Sequence, residues 1–301
     1  MNTPSFNIAA VERDTGLSKD VLRMWERRYG FPVPDRDTNG ERCYPAEQVE
    51  RLRQIKRLID LGHRPGKLIA TPPSELTALA PRRSSPSETR SEASNDELGE
   101  LLALIKQHDA AAYQQAMQQR MARQGLGRFV QDTAAPLTRL VGEYWENGRF
   151  EVFEEHLFTE LTKRLLRQAI AALPGGTRAP RILLTSVPDE QHVIGLLMVE
   201  ALFALEGAEC IPLGTQMPLL EIGRAASAHK ADIVALSFSS AFPQRQTPAL
   251  LQQLRHVLAP EIALWVGGAG IVRLTGMEGV KLLATLDGAL DALREWRIAH
   301  A

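Results

Sequence analysis

Cysteine is scarce in this chain of 301 residues, which contains only Cys43 and Cys210. Two thiols cannot build a disulfide framework or a four-cysteine zinc site. Long apolar runs are also missing, because no stretch approaches the roughly 18 residues of a membrane span. The N-terminus lacks the basic stretch and apolar core of a secretory signal. These absences predict a cytoplasmic protein without a membrane partner.

An excess of either charge is missing as well, since 35 Lys and Arg residues face 36 Asp and Glu residues. The formal net charge of −1 excludes a generally basic nucleic-acid coat, although one domain can still carry a basic face. Hydrophobic residues make up 44% of the chain and charged residues 24%, as in ordinary globular proteins. The length indicates two or more domains.

One segment divides the chain. Residues 81–95 hold Ser, Thr, Pro and charges but no large apolar side chain, so they cannot bury enough surface to offset the entropy of ordering. We predict a flexible linker over residues 73–97. It separates a first domain, residues 1–72, from a helical domain, residues 98–176, and a third domain, residues 180–301.

The first domain has the pattern of a helix–turn–helix followed by a wing. A short helix starts at Ile8 and is broken at Gly16, and Ser18 caps a second helix. The turn-rich loop 34–44 would form the wing. Polar side chains of the second helix and this loop would reach DNA phosphates or guanine edges, and the candidates are Lys19, Arg23, Arg27, Arg28, Arg36, Arg42 and Tyr44. A small helical domain with a solvated, charged face fits the same pattern.

The other two domains differ in periodicity, so a multidomain protein of the α and α/β classes is expected. Four long helices between residues 98 and 173, with short connections, predict a four-helix bundle. From residue 181, apolar strands alternate with helices, which predicts a doubly wound, Rossmann-like parallel sheet. Its strands are expected at residues 182–187, 209–213, 232–237, 262–266 and 280–283.

Polar and small residues follow three of these strands, at the edge where a doubly wound sheet binds its ligand. After the first strand, Glu190 is placed to accept one ring proton of His192 and so orient the imidazole. Glycines let a ligand approach the backbone, and serines supply hydroxyl groups. A lone loop histidine beside unrelated glycines is the alternative. The candidates are Glu190, His192, Gly195, Ser237, Ser239, Gly267 and Gly268.

Short motifs of the first domain match a known family. They are Phe6–Ile8, Asp14–Ser18, Leu22–Gly30 and Arg42–Tyr44. Together they resemble the winged helix–turn–helix of MerR-type regulators, over roughly residues 5 to 70. Trp25–Tyr29 is similar to the branch of that family that carries cobalamin-binding sensor domains. Sensing of metals through thiolates is not expected, because the two cysteines lie in the wing and in a strand.

The third domain resembles the cobalamin-binding domain of methionine synthase and the mutases. The family pattern is Asp-X-His-X-X-Gly, then Ser-X-Leu, then Gly-Gly; here Glu190 replaces the Asp and Ser239 stands where Leu is common. The resemblance implies that His192 binds cobalt from below and that Glu190 is its partner. It also implies that Ser237 contacts the displaced dimethylbenzimidazole tail, above a slot floored by Gly267 and Gly268.

The bundle contains Trp145 and, after nine intervening residues, Glu155 followed by His156. A core tryptophan beside a surface Glu-His pair would look the same. The spacing resembles the bundle of CarH/LitR-type photoreceptor repressors, which covers the upper face of adenosylcobalamin. The resemblance implies that Trp145 packs against the adenosyl group with Glu155 and His156 beside it. His156 would take the upper cobalt position after light breaks the cobalt–carbon bond.

All three elements occur in the order that this photoreceptor family uses. The resemblance therefore implies a light-responsive repressor and not an enzyme, with adenosylcobalamin as cofactor. Its partners would be operator DNA and further copies of the chain, from dimers to tetramers, and light would release the DNA. Alternatives are a regulator that acts without cobalamin through a protein partner and a corrinoid enzyme subunit. A zinc hydrolase is not expected, because Glu154–His156 lacks the His-Glu-X-X-His spacing.

Overall fold

The computed structural model describes residues 5–37, 40–60, 63–76, 92–176 and 178–300. Two compact units divide the chain, Met1–Glu88 and Thr89–Ala301. In the described residues, every helix is too short or too polar to cross a bilayer.

The first unit is a winged helix–turn–helix. Its elements are β1 (Ser5–Asn7), α1 (Ile8–Thr15), α2 (Lys19–Tyr29), β2 (Asp35–Arg36), β3 (Arg42–Pro45), α3 (Ala46–Asp60), α4 (Pro65–Ala70) and α5 (Pro73–Leu76). The three strands form an antiparallel sheet in the order β1-β3-β2, and we call the β2–β3 hairpin the wing. Asn7 and Ser18 cap α1 and α2 through their side-chain oxygens, and left-handed Gly16 and Gly30 end these helices. The predicted start of α1 at Ile8, its break at Gly16 and the cap of α2 at Ser18 are thus confirmed.

The linker predicted over residues 73–97 was too wide at both ends. Pro73 begins α5, because a proline at the first position of a helix loses no hydrogen bond. Leu76 is then buried in the core of the first unit. At the other end, α6 begins at Glu92. The segment 77–91 lies outside the described residues.

The second unit begins with the predicted bundle. Its helices are α6 (Glu92–Lys106), α7 (Ala110–Gln124), α8 (Leu126–Arg128), α9 (Ala135–Glu146) and α10 (Val152–Ala171). A π-helical turn, Phe129–Ala134, joins α8 to α9. The helix predicted over residues 129–145 is therefore present, but its first turns are π-helical and not α-helical. The side chains of Tyr113, Phe129 and Phe158 are buried in the shared core.

The rest of the second unit is a five-stranded parallel sheet with helices, as predicted. Its elements are β4 (Arg178–Thr185), α11 (Ile194–Leu205), β5 (Ala208–Gly214), α12 (Leu219–Ala228), β6 (Ile233–Ser237), α13 (Thr247–Val257), β7 (Ala263–Gly267), β8 (Val280–Leu283) and α14 (Leu286–Ala299). The strand order is β5-β4-β6-β7-β8. Because the chain leaves β4 toward β5 but later continues on the other side, the crossovers diverge between β4 and β6. That divergence opens a crevice at the carboxyl ends of these two strands.

Helix α11 connects the bundle and the sheet. Its residues Ile194, Leu197 and Met198 belong to the bundle core, as do Ala201 and Leu202 further along. Leu196 and Phe203, on the opposite side of the helix, pack against the sheet. Gln131 of the π-helical turn also donates a hydrogen bond to Asp287 of α14, at 2.6 Å. The loop that precedes α11 therefore lies where the bundle meets the sheet.

Candidate functional site

The candidate residues of the third domain gather at the carboxyl ends of β4, β6 and β7. Thr185, the last residue of β4, pairs with Leu236, and the next residue of β6, Ser237, pairs with Gly267 at the end of β7. The loops that leave these strands therefore start side by side. They flank the crevice between β4 and β6, which is the expected ligand position in such a sheet.

The β4–α11 loop presents His192 on a buried carboxylate. The His192 Nδ1 atom lies 2.7 Å from Glu190 Oε1, and the same oxygen accepts a hydrogen bond from the His192 backbone N–H at 2.9 Å. The side chain of Glu190 is 1% exposed, whereas that of His192 is 58% exposed. The buried carboxylate thus holds the imidazole from the protein interior, and the ring is exposed to solvent.

Ser239, which follows β6, forms hydrogen bonds with the second carboxylate oxygen of Glu190. Its backbone N–H and its hydroxyl both donate to Glu190 Oε2, at 2.7 Å and 2.9 Å. One carboxylate therefore accepts four hydrogen bonds from two loops that are far apart in sequence. The role predicted for Ser239 was contact with a cofactor, and the contact that the structure shows is with Glu190.

The hydrogen bonds keep Glu190 ionised. Burial raises the pKa of Glu190, but hydrogen bonds from His192 and Ser239 outweigh burial and hold this pKa below its ordinary value. An ionised carboxylate can only accept, so the Nδ1 atom of His192 donates the proton of this hydrogen bond. The Nε2 atom is then the nitrogen suited to a metal ion.

Ser186 was missed in the sequence because it appeared to be part of the apolar run of β4. Its hydroxyl donates to the Glu190 carbonyl at 2.6 Å and accepts from the Gln216 N–H at 2.9 Å. It therefore ties the loop after β4 to the loop after β5. Its polar side chain at the end of a buried strand was the available signal.

The glycines of the site allow close approach of backbone to backbone. A Cβ atom on Gly268 would lie 2.3 Å from the Phe238 carbonyl oxygen, and one on Gly270 would lie 2.3 Å from the Ser239 carbonyl oxygen. A Cβ on Gly195 would lie 2.7 Å from the hydroxyl oxygen of Ser237. Gly267 is less restricted, and Gly270 was not identified from the sequence.

The bundle residues lie on two consecutive helices, as predicted. Trp145 is near the end of α9 and packs against the bundle core. Glu155 and His156 lie in the first turns of α10, with His156 Nδ1 3.4 Å from Glu155 Oε2. The turn between the helices is tight, because the backbone N–H groups of Arg149 and Phe150 both donate to the Tyr144 carbonyl.

One hydrophobic core links the neighbourhoods of the two histidines. Val193 follows His192 and Leu157 follows His156, and both pack against the bundle core that Trp145 also contacts. The structure thus brings the β4–α11 loop and the start of α10 to the same core.

In the first unit, most candidate DNA contacts are exposed. Arg23, Arg27 and Arg28 are exposed on α2, and Arg36 is exposed in the wing, where it donates to the Gly40 carbonyl at 2.8 Å. Lys19 is half-buried and lies 3.5 Å from Glu12 of α1. Arg42 is also half-buried and forms an ion pair with Glu26 of α2 at 2.7 Å.

Tyr44 was predicted as a DNA contact, and the structure corrects this prediction. Its ring is 0% exposed within the core of the first unit. Its hydroxyl oxygen is buried and has no hydrogen-bond partner in the described residues. The aromatic ring fills space between helices, which the sequence could not distinguish from a polar contact in the wing.

Comparisons with known proteins agree with this architecture. A family model described as MerR HTH family regulatory protein matches residues 6–68, and two B12 binding domain models match residues 98–170 and 180–275. The chain is 31% identical over 270 residues to the HTH-type transcriptional repressor CarH of Myxococcus xanthus, covering 89% of each chain. The chain belongs to the CarH family. The CarA repressor of the same organism is 28% identical over 267 residues, or 88% of this chain and 87% of CarA.

Membership of the CarH family and the matching models identify the chain as a transcriptional regulator with a MerR-type DNA-binding domain and a cobalamin-binding module, and not as an enzyme. The predicted fold class is confirmed. The fold of the second unit is also that of a monomethylamine corrinoid protein from Methanosarcina barkeri, with a TM-score of 0.52 at 15% identity over 67% of this chain and 100% of that chain.

The residues of this CarH-family chain fit a cobalamin. The chemistry of the donor set is that of a metal-binding histidine: an exposed imidazole oriented by a buried carboxylate. A cluster of three or more His, Cys, Asp or Glu side chains able to hold a bare metal ion does not occur in the part of the chain that the structure describes.

Proposed function

We propose that this chain is a light-responsive repressor that binds operator DNA as an adenosylcobalamin-loaded oligomer and releases the DNA on illumination. The observation that carries the proposal is the hydrogen bond between His192 and the buried Glu190. A buried carboxylate that accepts four hydrogen bonds is a costly arrangement for an ordinary loop histidine. It is well suited to present one ring nitrogen in a fixed direction.

His192 would bind the cobalt from below through Nε2, with Glu190 and Ser239 holding the ring in place. Ser237 would contact the nucleotide tail above a slot floored by Gly267 and Gly268, and Gly195 lets the start of α11 approach the Ser237 hydroxyl. When bound, adenosylcobalamin supplies a cobalt–carbon bond that light can break.

The bundle would cover the opposite side of the cofactor. Trp145 would offer its indole face to the adenosyl group, and Glu155 and His156 lie on the next helix, α10. His156 has an exposed ring and would supply an imidazole to the upper position after illumination. Leu157, which follows His156, and Val193, which follows His192, both pack against the bundle core.

Such a cofactor would couple light to DNA through assembly. Several helix–turn–helix units on one oligomer bind neighbouring half-sites at high effective concentration, which increases affinity without new contacts. A change at the bundle surface that favours the dissociated state would remove this gain.

The test uses a duplex that the full chain, loaded with adenosylcobalamin in the dark, selects from a random 30-base-pair library. Green light is expected to weaken binding of this duplex by at least about tenfold, because the gain from multivalency is lost. Fluorescence anisotropy measures affinity, and size-exclusion chromatography in the dark and after light measures the oligomer.

The matched control is the same chain with hydroxocobalamin, which has no cobalt–carbon bond and is expected to show no light effect. Equal affinity for the duplex in the dark and after light would contradict the proposal. Equal affinity with and without cofactor would instead favour a regulator that acts through a protein partner.

A further inference from the structure

Two polar links attach the wing to the rest of the DNA-binding unit. Arg42 of β3 directs its Nε and Nη2 atoms to the carboxylate of Glu26 in α2, at 2.7 Å and 3.5 Å. Gln48 of α3 accepts a hydrogen bond from the Val33 backbone N–H and donates one to the Val33 carbonyl, both at 2.7 Å. Because Val33 lies just before β2, both ends of the wing are held.

Arg42 differs from Arg23, the arginine beside it in the predicted DNA surface. The Arg23 side chain is 46% exposed and pairs with Asp20 one turn away on the same helix. Exposed pairs of this kind contribute little, so Arg23 can turn to a phosphate at small cost. The Arg42 side chain is 26% exposed and its pair joins two elements. Turning Arg42 to a phosphate would leave Glu26 uncompensated on the helix that faces DNA.

Among the described residues, the nearby side chain of Tyr44 does not add a polar contact that would fix the angle of the wing. Tyr44 lies two residues after Arg42 on β3, with its ring buried in the core of the first unit and its hydroxyl without a partner in the described residues. Burial raises the pKa of Tyr44 and the charge of Glu26 adds to the increase, whereas Arg42, Arg23 and Arg36 oppose it. Apolar packing is not directional, whereas a two-point ion pair fixes an angle.

We propose that Glu26 and Arg42 are a positioning pair that sets the angle of the wing against α2, and that Arg42 is not a phosphate contact. This inference revises the role predicted for Arg42. It concerns the DNA-binding unit alone, so it does not depend on whether cobalamin or light regulates binding.

The experiment measures the salt dependence of DNA affinity. The full chain, loaded with adenosylcobalamin in the dark, is titrated onto the selected 30-base-pair duplex at several salt concentrations. Arg42→Gln is expected to lower affinity by about tenfold and to leave the slope of log affinity against log salt unchanged. The matched control Arg23→Gln removes a phosphate contact and is expected to reduce that slope by about 1 per bound protomer.

Glu26→Gln is a second test, in which the direction of the change in DNA affinity distinguishes two roles of Glu26. If Glu26 only repelled phosphates, its neutralisation would tighten binding. As a member of the positioning pair, it is expected to weaken binding. The double variant Glu26→Gln/Arg42→Gln is expected to bind no more weakly than Arg42→Gln alone, because both changes remove the same link.

Far-UV circular dichroism melts check that each variant folds. If Arg42→Gln does not fold, Arg42→Lys replaces it: a phosphate contact would survive with a lysine as point charge, whereas the positioning pair loses its two-point geometry and affinity falls. The inference is overturned if Arg42→Gln reduces the salt slope as much as Arg23→Gln, or if Glu26→Gln tightens binding.

Discussion

His192→Ala is expected to lower the affinity for cobalamin by about a hundredfold or more, since loss of a mere partner of a metal ligand already costs about 10- to 100-fold. The ring is the exposed end of a buried hydrogen-bond network, so its removal takes away the proposed cobalt ligand without opening the core. The absorption spectrum is expected to change from the form with a nitrogen below cobalt to the form without it. Titration of the purified chain with adenosylcobalamin in the dark measures both quantities.

Glu190→Gln separates orientation of the imidazole from its presence. The amide oxygen of glutamine can still accept from His192, but its NH₂ group then faces the Ser239 N–H, which is also a donor. We expect cobalamin affinity to fall by about tenfold. The neighbouring Gln191→Ala is the control, because Gln191 is exposed in the same loop and its loss should leave affinity unchanged.

Unaltered affinity and spectrum in His192→Ala would remove the basis of the proposed function.

Gly268→Ala is expected to destabilise the second unit by about 3 kcal/mol, the sum of an unfavourable backbone and an overpacked contact. Gly268 has φ 96° and ψ 170°, a conformation that is nearly restricted to glycine. The added methyl group would also meet the carbonyl oxygen of Phe238 at 2.3 Å. The loop after β7 would have to move away from the end of β6, and the slot predicted for the cofactor tail would change shape.

The consequence is measured by thermal unfolding of the full chain, followed by circular dichroism. A loss of about 3 kcal/mol corresponds to a decrease in Tm of roughly 6 to 12 °C for a unit of this size. Gly276→Ala is the matched control, because nothing lies near its Cβ position and its backbone is not left-handed. If the two variants have the same Tm, the close approach of the loops after β6 and β7 does not contribute to stability.

Local signals were sufficient to predict the elements and the first partner of the site. Gly16 marks the end of α1 and Ser18 the start of α2, and the apolar run before Glu190 marks β4, because caps and burial depend on neighbours in sequence. Glu190 and His192 are two residues apart, so their hydrogen bond was also predictable.

Contacts between distant segments were not predictable in the same way. Ser239 is 49 residues from Glu190, and no local pattern shows that its N–H and hydroxyl complete the carboxylate. Tyr44 has a side chain that suits either a core or a phosphate, and packing of α2 and α3 decides between them. The extra methylene of Glu190 and the presence of Ser239 were noted as two separate departures from a family pattern, whereas the structure shows that they meet.

Helix α11 restricts how the molecule can be divided. Five of its apolar side chains face helices that come earlier in the chain, among them Ile194 and Leu197. A shortened polypeptide that starts at residue 178 lacks the bundle, so these apolar side chains would be exposed to solvent and the polypeptide would tend to aggregate. We therefore expect the bundle and the sheet to unfold as one cooperative unit, and an insertion between the bundle and β4 must still let α11 pack against the bundle.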